Sequence, residues 1–351
     1  MDIGSIPTPA LLVDLDAMEF NLRRMADFFA DKRCKLRPHF KNHKTPMLAW
    51  KQLRAGAIGI TCATLREAEI LLHHGIDRAL IANEIAGDVK AEHLAELCRQ
   101  ASVIVAIDNC SSIKDLGRAQ RNRNSQIEVV VDIDIGLKRC GVSPGEAALS
   151  LAKCAASEGL KVRGVMGYDG HFQVMPPSPE RDEQVRAGSK SLADSAALLE
   201  AAGVPVSIVS TGGTGTYAVS GTCPGITDIQ AGSYLLMDTL YVERGSLFRR
   251  SLTLLATVIS TRGHHAVIDC GVKAISGERG LSEVKGISNT RLTALHAEHG
   301  LLDLTDDSQP PLQVGQKVEL WVRYSDATVN LHSTMYGVRH GQVEEVYKIE
   351  H

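Results

Sequence analysis

Between residue 36 and about residue 232 the chain repeats one pattern eight times: a short β-branched or apolar run, then a longer stretch with helical spacing. The runs are LRPHFK (36–41), GITCAT (59–64), RALIAN (78–83), SVIVAID (102–108), EVVVDID (128–134), VRGVMGY (162–168), PVSIVST (205–211) and GITDIQA (225–231). The intervening stretches, such as LREAEILLHHG and GEAALSLAKCAASEG, end in Gly just past the last apolar position, where a helix is expected to stop. Strands alternating with helices imply parallel β-α units, and eight units in this length suit a (β/α)8 TIM-type barrel better than an open doubly wound sheet. An amphipathic helix at about 16–32, with Leu22, Met25 and Phe28 or Phe29 on one face, precedes them. After residue 240 the runs LTLLATVIST, HAVIDCG and QKVELWVRYS read as a C-terminal β domain. The expected division is a barrel over 10–240 and a β domain of 1–9 plus 241–351.

Several function classes fall away. A net charge of −3 and a pI near 6.5, with no basic run interleaved with aromatics, disfavour nucleic acid. No long uncharged apolar stretch and no secretory leader stand in the sequence, so no membrane partner and a cytoplasmic location are expected. The eight cysteines are scattered singly, with no C-x-x-C pair, which reads as reduced thiols rather than disulfides or a cysteine zinc site.

A barrel of this type carries its chemistry at the C-terminal ends of its strands. There stand Lys41, Thr64, Asn83, Asp108, Asp134 with Arg139, Tyr168 with His171, and Thr211-Gly212-Gly213. Any one could cap a helix or satisfy a loop; together they suggest a site. Arg37, His39, Lys41 and His43 alternate in RPHFKNHKTP, so a continuous strand would turn all four to one face. STGGTGTY (210–217) and AGSYLLMD (231–238) follow the last two strands, and loops rich in Gly and small hydroxyls expose backbone N–H groups that cradle phosphate. A lysine at the first strand end, facing a phosphate anchored across the barrel mouth, suits a cofactor with both an aldehyde and a phosphate: pyridoxal 5'-phosphate. Lys44 competes with Lys41 but falls on the opposite side of a strand.

The ordered motifs IPTPALLVDLD, RPHFKNHKTP, DIDIGLKRCGV, GYDGHFQ, TGGTGTY, QAGSYLLMD, DCGVKA, HAEHGLL and DATVNLH span nearly the whole chain. In them the sequence resembles the D-threonine aldolase and D-serine dehydratase group of fold-type III, alanine-racemase-like pyridoxal-phosphate enzymes. The resemblance implies that Lys41 is the Schiff-base lysine. It also implies that Thr211, Gly212, Gly213, Thr214, Gly232 and Ser233 hold the phosphate, that Arg139 and Tyr168 surround the pyridine ring, and that Tyr234, His39, His43 and His171 line the site. Relatives carry a His-x-Asp or His-x-Cys pair ahead of TVNLH for a divalent metal (zinc, manganese or magnesium). Here Asp326 keeps the second ligand position, while Tyr324 occupies the first as space filler or acid–base group. The implied activity is that of a homodimeric lyase cleaving D-β-hydroxy-α-amino acids of the D-threonine or 3-hydroxy-D-aspartate type to glycine and an aldehyde. The alternatives are a D-serine or D-3-hydroxyaspartate dehydratase, a racemase, or a non-catalytic cofactor carrier.

Overall fold

The computed structural model describes residues 1–306 and 311–351. It falls into two compact units, one of Met25–Lys41 and Pro46–Gly232, the other of Met1–Arg24, Asn42–Thr45 and Ser233–His351. The chain's first strand, β1 (Ala10–Asp14), belongs to the latter.

In the former unit each of the eight predicted runs contributes a strand: β2 (Lys35–Leu36), β3 (Ile60–Cys62), β4 (Arg78–Glu84), β5 (Ser102–Ile107), β6 (Glu128–Asp132), β7 (Lys161–Met166), β8 (Ile208–Thr211) and β9 (Asp228–Ile229). All pair in parallel, in the order β2-β9-β8-β7-β6-β5-β4-β3. The two ends of that order meet, because Ile58 N donates to Leu36 O (2.9 Å), Thr61 N donates to Pro38 O (2.8 Å) and His39 forms a parallel bridge with Thr61. The sheet is thereby closed into a barrel. Leu80, Ile104, Ala106, Val130, Met166 and Ile208 form one buried cluster, supplied by five consecutive strands whose alternate residues face the axis. The connecting helices begin at side-chain caps. Thr64 Oγ1 accepts from Glu67 N (3.1 Å) to start Leu65–His73, and Ser178 with Pro179 starts Pro179–Ala201.

One expectation fails here. RPHFKNHKTP is not a continuous strand: β2 ends at Leu36, only His39 makes a further bridge, and Phe40–Asn42 is a 3₁₀ turn. Arg37, His39, Lys41 and His43 therefore do not share a strand face, and the opposition of Lys44 to Lys41 loses its basis. Pro38 brings no N–H to a ladder, and Lys44 has a left-handed backbone (φ 49°).

The other unit holds a mixed sheet of β1 with β10 (Leu252–Arg262), β11 (His265–Ile268), β12 (Glu283–Val284), β13 (Thr290–Leu295), β14 (Gly300–Leu304), β15 (Lys317–Trp321), β16 (Thr334–Arg339) and β17 (Gln342–Lys348). β1 runs antiparallel to β10 and parallel to β16, and Ile6, Ala10, Leu12 and Leu255 pack together beneath it. The helix expected over 16–32 spans Leu15–Phe29. Its Asn21 binds the later chain, donating from Nδ2 to Leu235 O (3.1 Å) and Arg249 O (2.7 Å) and accepting at Oδ1 from Arg249 N (2.8 Å). Residues 1–24, rather than 1–9, thus lie with the C-terminal part, and the barrel unit ends at Gly232 rather than 240. Among the described residues no helix is long and apolar enough to cross a membrane.

Candidate active site

Within the barrel unit the strand ends gather His39, Lys41, Arg139, Tyr168, Thr211 to Thr214 and Gly232. Lys41 is half-buried in the 3₁₀ turn after β2, and its N–H donates to His39 Nδ1 at 3.4 Å. His39 N in turn donates to Ala231 O (3.3 Å), so the segment carrying Lys41 is pinned to the end of β9. Arg37 is buried and points elsewhere: its Nε donates to Asp228 Oδ1 at 3.0 Å, and Ser210 Oγ donates to the same oxygen at 2.7 Å. Arg139 is exposed, 5.5 Å from the centroid of the Tyr168 ring. His171 packs on Phe172 with ring centroids 3.8 Å apart.

The loop after β8 is built for close approach of backbone. Gly212 has φ +72°, and an added Cβ on Gly213 would lie 2.5 Å from Gln173 Oε1. Gln173 is itself buried and held by three bonds: its Nε2 donates to Asp169 Oδ1 (2.6 Å) and Thr216 Oγ1 (2.9 Å), and its Oε1 accepts from Gly215 N (2.8 Å). Burial raises the Asp169 carboxyl above the ordinary carboxylate range. Among the described residues the N–H groups of Gly212 and Gly232, at adjacent strand ends, have no acceptor. Buried donors without acceptors fit an anion such as a phosphate. The Thr211 hydroxyl, by contrast, donates to Gly167 O (2.7 Å) and shapes the strand end.

The second unit carries the remaining expected residues. His43 is fully buried, and its Nδ1 accepts from Thr45 N at 3.1 Å. Tyr234 is fully buried against Phe248, with ring centroids 5.7 Å apart. Asn42 Nδ2 donates to Ser325 Oγ (2.6 Å) and Asp326 Oδ1 (2.7 Å) and reaches Ser233 Oγ at 3.5 Å. Tyr324 precedes the short helix Ser325–Val329, with the Arg279 guanidinium 5.5 Å from its ring. Burial, then Asp326, raises the phenol above its usual range. Asp238 is buried beside them, its Oδ1 accepting from Ser325 N (3.0 Å), and burial together with Asp326 pushes it up to about 8.

Nothing in the sequence alone singles out Asn42, Asp169, Gln173 and Asp238. GHFQ and LLMD look like ordinary loop chemistry, and the buried bonds that tie these side chains down come from residues distant in the chain. Thr64 turns out to be a helix cap, the bland alternative.

The description of the alanine racemase N-terminal domain matches residues 13–239, and that of a putative serine dehydratase domain matches residues 251–338. The chain is 33% identical to the 3-hydroxy-D-aspartate aldolase of Paracoccus denitrificans and 35% identical to the D-threonine aldolase of an Arthrobacter species. Each match covers 99% of this chain and 93% of the relative. The crystal structure of the D-threonine aldolase of Filomicrobium marinum superposes with a TM-score of 0.95 at 34% identity, over 99% of this chain and 96% of that one.

Proposed function

The chain belongs to the D-threonine aldolase and serine dehydratase-like family built on the alanine racemase N-terminal domain, and from that premise we propose that it is a pyridoxal-phosphate-dependent lyase cleaving D-β-hydroxy-α-amino acids to glycine and an aldehyde. The observation that supports this most is the full-length likeness to two aldolases of that substrate class. The cofactor fits the residues present. Gly212 and Gly232 offer backbone N–H groups, Gly213, whose own N–H donates to Thr216 Oγ1 (3.1 Å), leaves the room that close approach needs, Thr211, Thr214 and Ser233 are assigned to the same phosphate, and Lys41 is the amine for the aldehyde. Arg139, Tyr168 and Tyr234 are assigned to the cofactor's surroundings. When bound, the cofactor supplies a ring that accepts the electron pair released as the Cα–Cβ bond breaks.

The chain's own part is to hold the amino acid and move the proton of its β-hydroxyl. His39 and His43 are the proposed bases. Tyr324, its phenol kept protonated at neutral pH by burial and Asp326, serves as a proton donor rather than a base. The divalent metal implied at Asp326 does not fit the donors there: the first ligand position holds a neutral phenol, and Asp326 Oδ1 already accepts from Asn42. No step is assigned to a metal at that position.

Product analysis tests the proposal. D-threonine should yield glycine and acetaldehyde, and 3-hydroxy-D-aspartate glycine and glyoxylate. Ammonia with a 2-oxo acid would instead support a dehydratase, the second reading, which the match over residues 251–338 favours. Appearance of the L-enantiomer would indicate a racemase. The same reading carries a homodimer working in the cytoplasm, for which light scattering of the purified protein is the check on assembly.

A further inference from the structure

Three neighbouring barrel strands end in inward-facing acids. Leu80, Ile104 and Val130 belong to the barrel's apolar cluster, and the same faces continue to Glu84 at the end of β4, Asp108 just past β5 and Asp132 at the end of β6. The register agrees: Glu84 pairs with Ala106 and Asp132 with Met166, both members of that cluster. The loop after β6 then returns Cys140 to this wall. One ligand atom from each of Glu84, Asp108 and Cys140 lies within 4.8 Å of the others.

Acids at a rim are commonplace, but Asp132 is not at the surface. It is 8% exposed, and among the described residues no N–H donor reaches its carboxylate. Its neighbours are the Glu84 carboxyl, with which it must share a proton to bond, the Arg139 charge and Asp108. Glu84 Oε1 is enclosed and has no hydrogen-bond partner. Each of these groups would be relieved by one positive charge at their common centre.

We propose that Glu84, Asp108 and Cys140 form a divalent cation site of the zinc class, with Asp132 adding charge from behind Glu84. The spacing comes close to what is required: oxygen and sulfur ligands of one zinc ion stand about 2.0–2.3 Å from it, so two of them are at most about 4.6 Å apart, and the atoms here lie within 4.8 Å of one another. Two carboxylates with a thiolate select a borderline-soft ion over magnesium or calcium. The site lies wholly in the barrel unit and owes nothing to Tyr324 and Asp326. It is also independent of which lyase reaction the protein performs.

The test uses the cofactor-loaded protein and zinc alone as the probe. Cys140 and Cys110 are both exposed, so iodoacetamide labelling read by peptide mass compares them in one sample. Zinc should slow labelling of Cys140 by at least about tenfold, the effect expected of metal ligation, and leave Cys110 unchanged. Glu84→Gln and Asp108→Asn should each abolish that protection. Cobalt(II) supplies a second measurement that does not depend on the folding of either variant: its visible bands should report thiolate ligation in the native protein and vanish in Cys140→Ser, a change at an exposed position. Equal labelling of Cys140 with and without zinc would overturn the proposal and leave a shared proton between Glu84 and Asp132 as the explanation. Cobalt bands that persist in Cys140→Ser would overturn it as well.

Discussion

Replacing Gly213 by Ala tests whether the loop after β8 is a backbone cradle. The new methyl would sit 2.5 Å from Gln173 Oε1, 2.8 Å from its Cδ and 3.0 Å from its Nε2. An ordinary carbon–oxygen contact is wider by roughly 0.8 Å, so either Gln173 or the loop must move. Gln173 is 4% exposed and makes three hydrogen bonds, each worth about 1 kcal/mol net, so its displacement and the overpacking together cost about 2–4 kcal/mol. Thermal unfolding should fall by roughly 5 °C. Cofactor affinity, measured by equilibrium dialysis against pyridoxal phosphate, should fall with it, because Gly212 and Gly213 shift together. The pair Gly213→Ala and Gln173→Ala should be strongly non-additive, by on the order of 1–2 kcal/mol, since removing the amide makes room for the methyl. Additive losses, or a Gly213→Ala protein with native affinity and melting temperature, would refute the reasoning.

Borohydride reduction of the loaded protein should fix the cofactor on Lys41; label on Lys44, whose Nζ donates to Asn330 Oδ1 at 2.5 Å, would remove Lys41 from its assigned role. Asp238 has a folded pKa of about 8 against an unfolded value near 4, so between these the folded protein holds a proton the unfolded chain has lost, and stability declines as pH rises through that window. Asp238→Asn keeps an acceptor for Ser325 N and should flatten the decline, gaining on the order of a few kcal/mol above pH 8; parallel urea-denaturation profiles for the two proteins across that range would count against it. Tyr324→His, made in a Cys140→Ser background, should raise zinc affinity at Asp326 by at least about tenfold, and equal affinity before and after the change would show that the phenol was no obstacle.

The eight barrel strands were legible because each is an apolar run bounded by turn residues, and the helices between them carry their own caps. β1 is not legible as part of the β domain: the expected barrel begins at residue 10, and only the pairing of ALLVD with Leu252–Leu255 and Met335–Val338 places it in the other sheet. Local pattern contains no record of a partner more than two hundred residues away. RPHFKNHKTP misled for the opposite reason, since its alternation is real but Pro38 and the turn at Phe40–Asn42 interrupt the ladder that would give alternation meaning. At the rim, Asn83 and Asp134 were named where Glu84 and Asp132 face inward. The apolar run of β4 was read as ending at Asn83, while the strand continues one residue further to the inward position at Glu84, and β6 stops two residues before the apolar run does. The close backbone packing of the loop after β8 was readable because glycine is the residue that such approach requires.

The pairing of β1 also has a consequence for synthesis. The ribosome releases Ala10–Asp14 early, yet its antiparallel neighbour, Leu252–Leu255, emerges some 240 residues later and its parallel neighbour, Met335–Val338, later still. Until then ALLV is an apolar segment with both hydrogen-bonding edges open, while the barrel behind it can close as soon as Asp228–Ile229 is available to Lys35–Leu36. A nascent chain of this protein therefore carries a sticky leader ahead of a finished barrel for much of its translation. Any fragment cut after the last barrel strand keeps that leader exposed permanently, and a soluble barrel fragment should begin after Arg24 rather than at the first methionine.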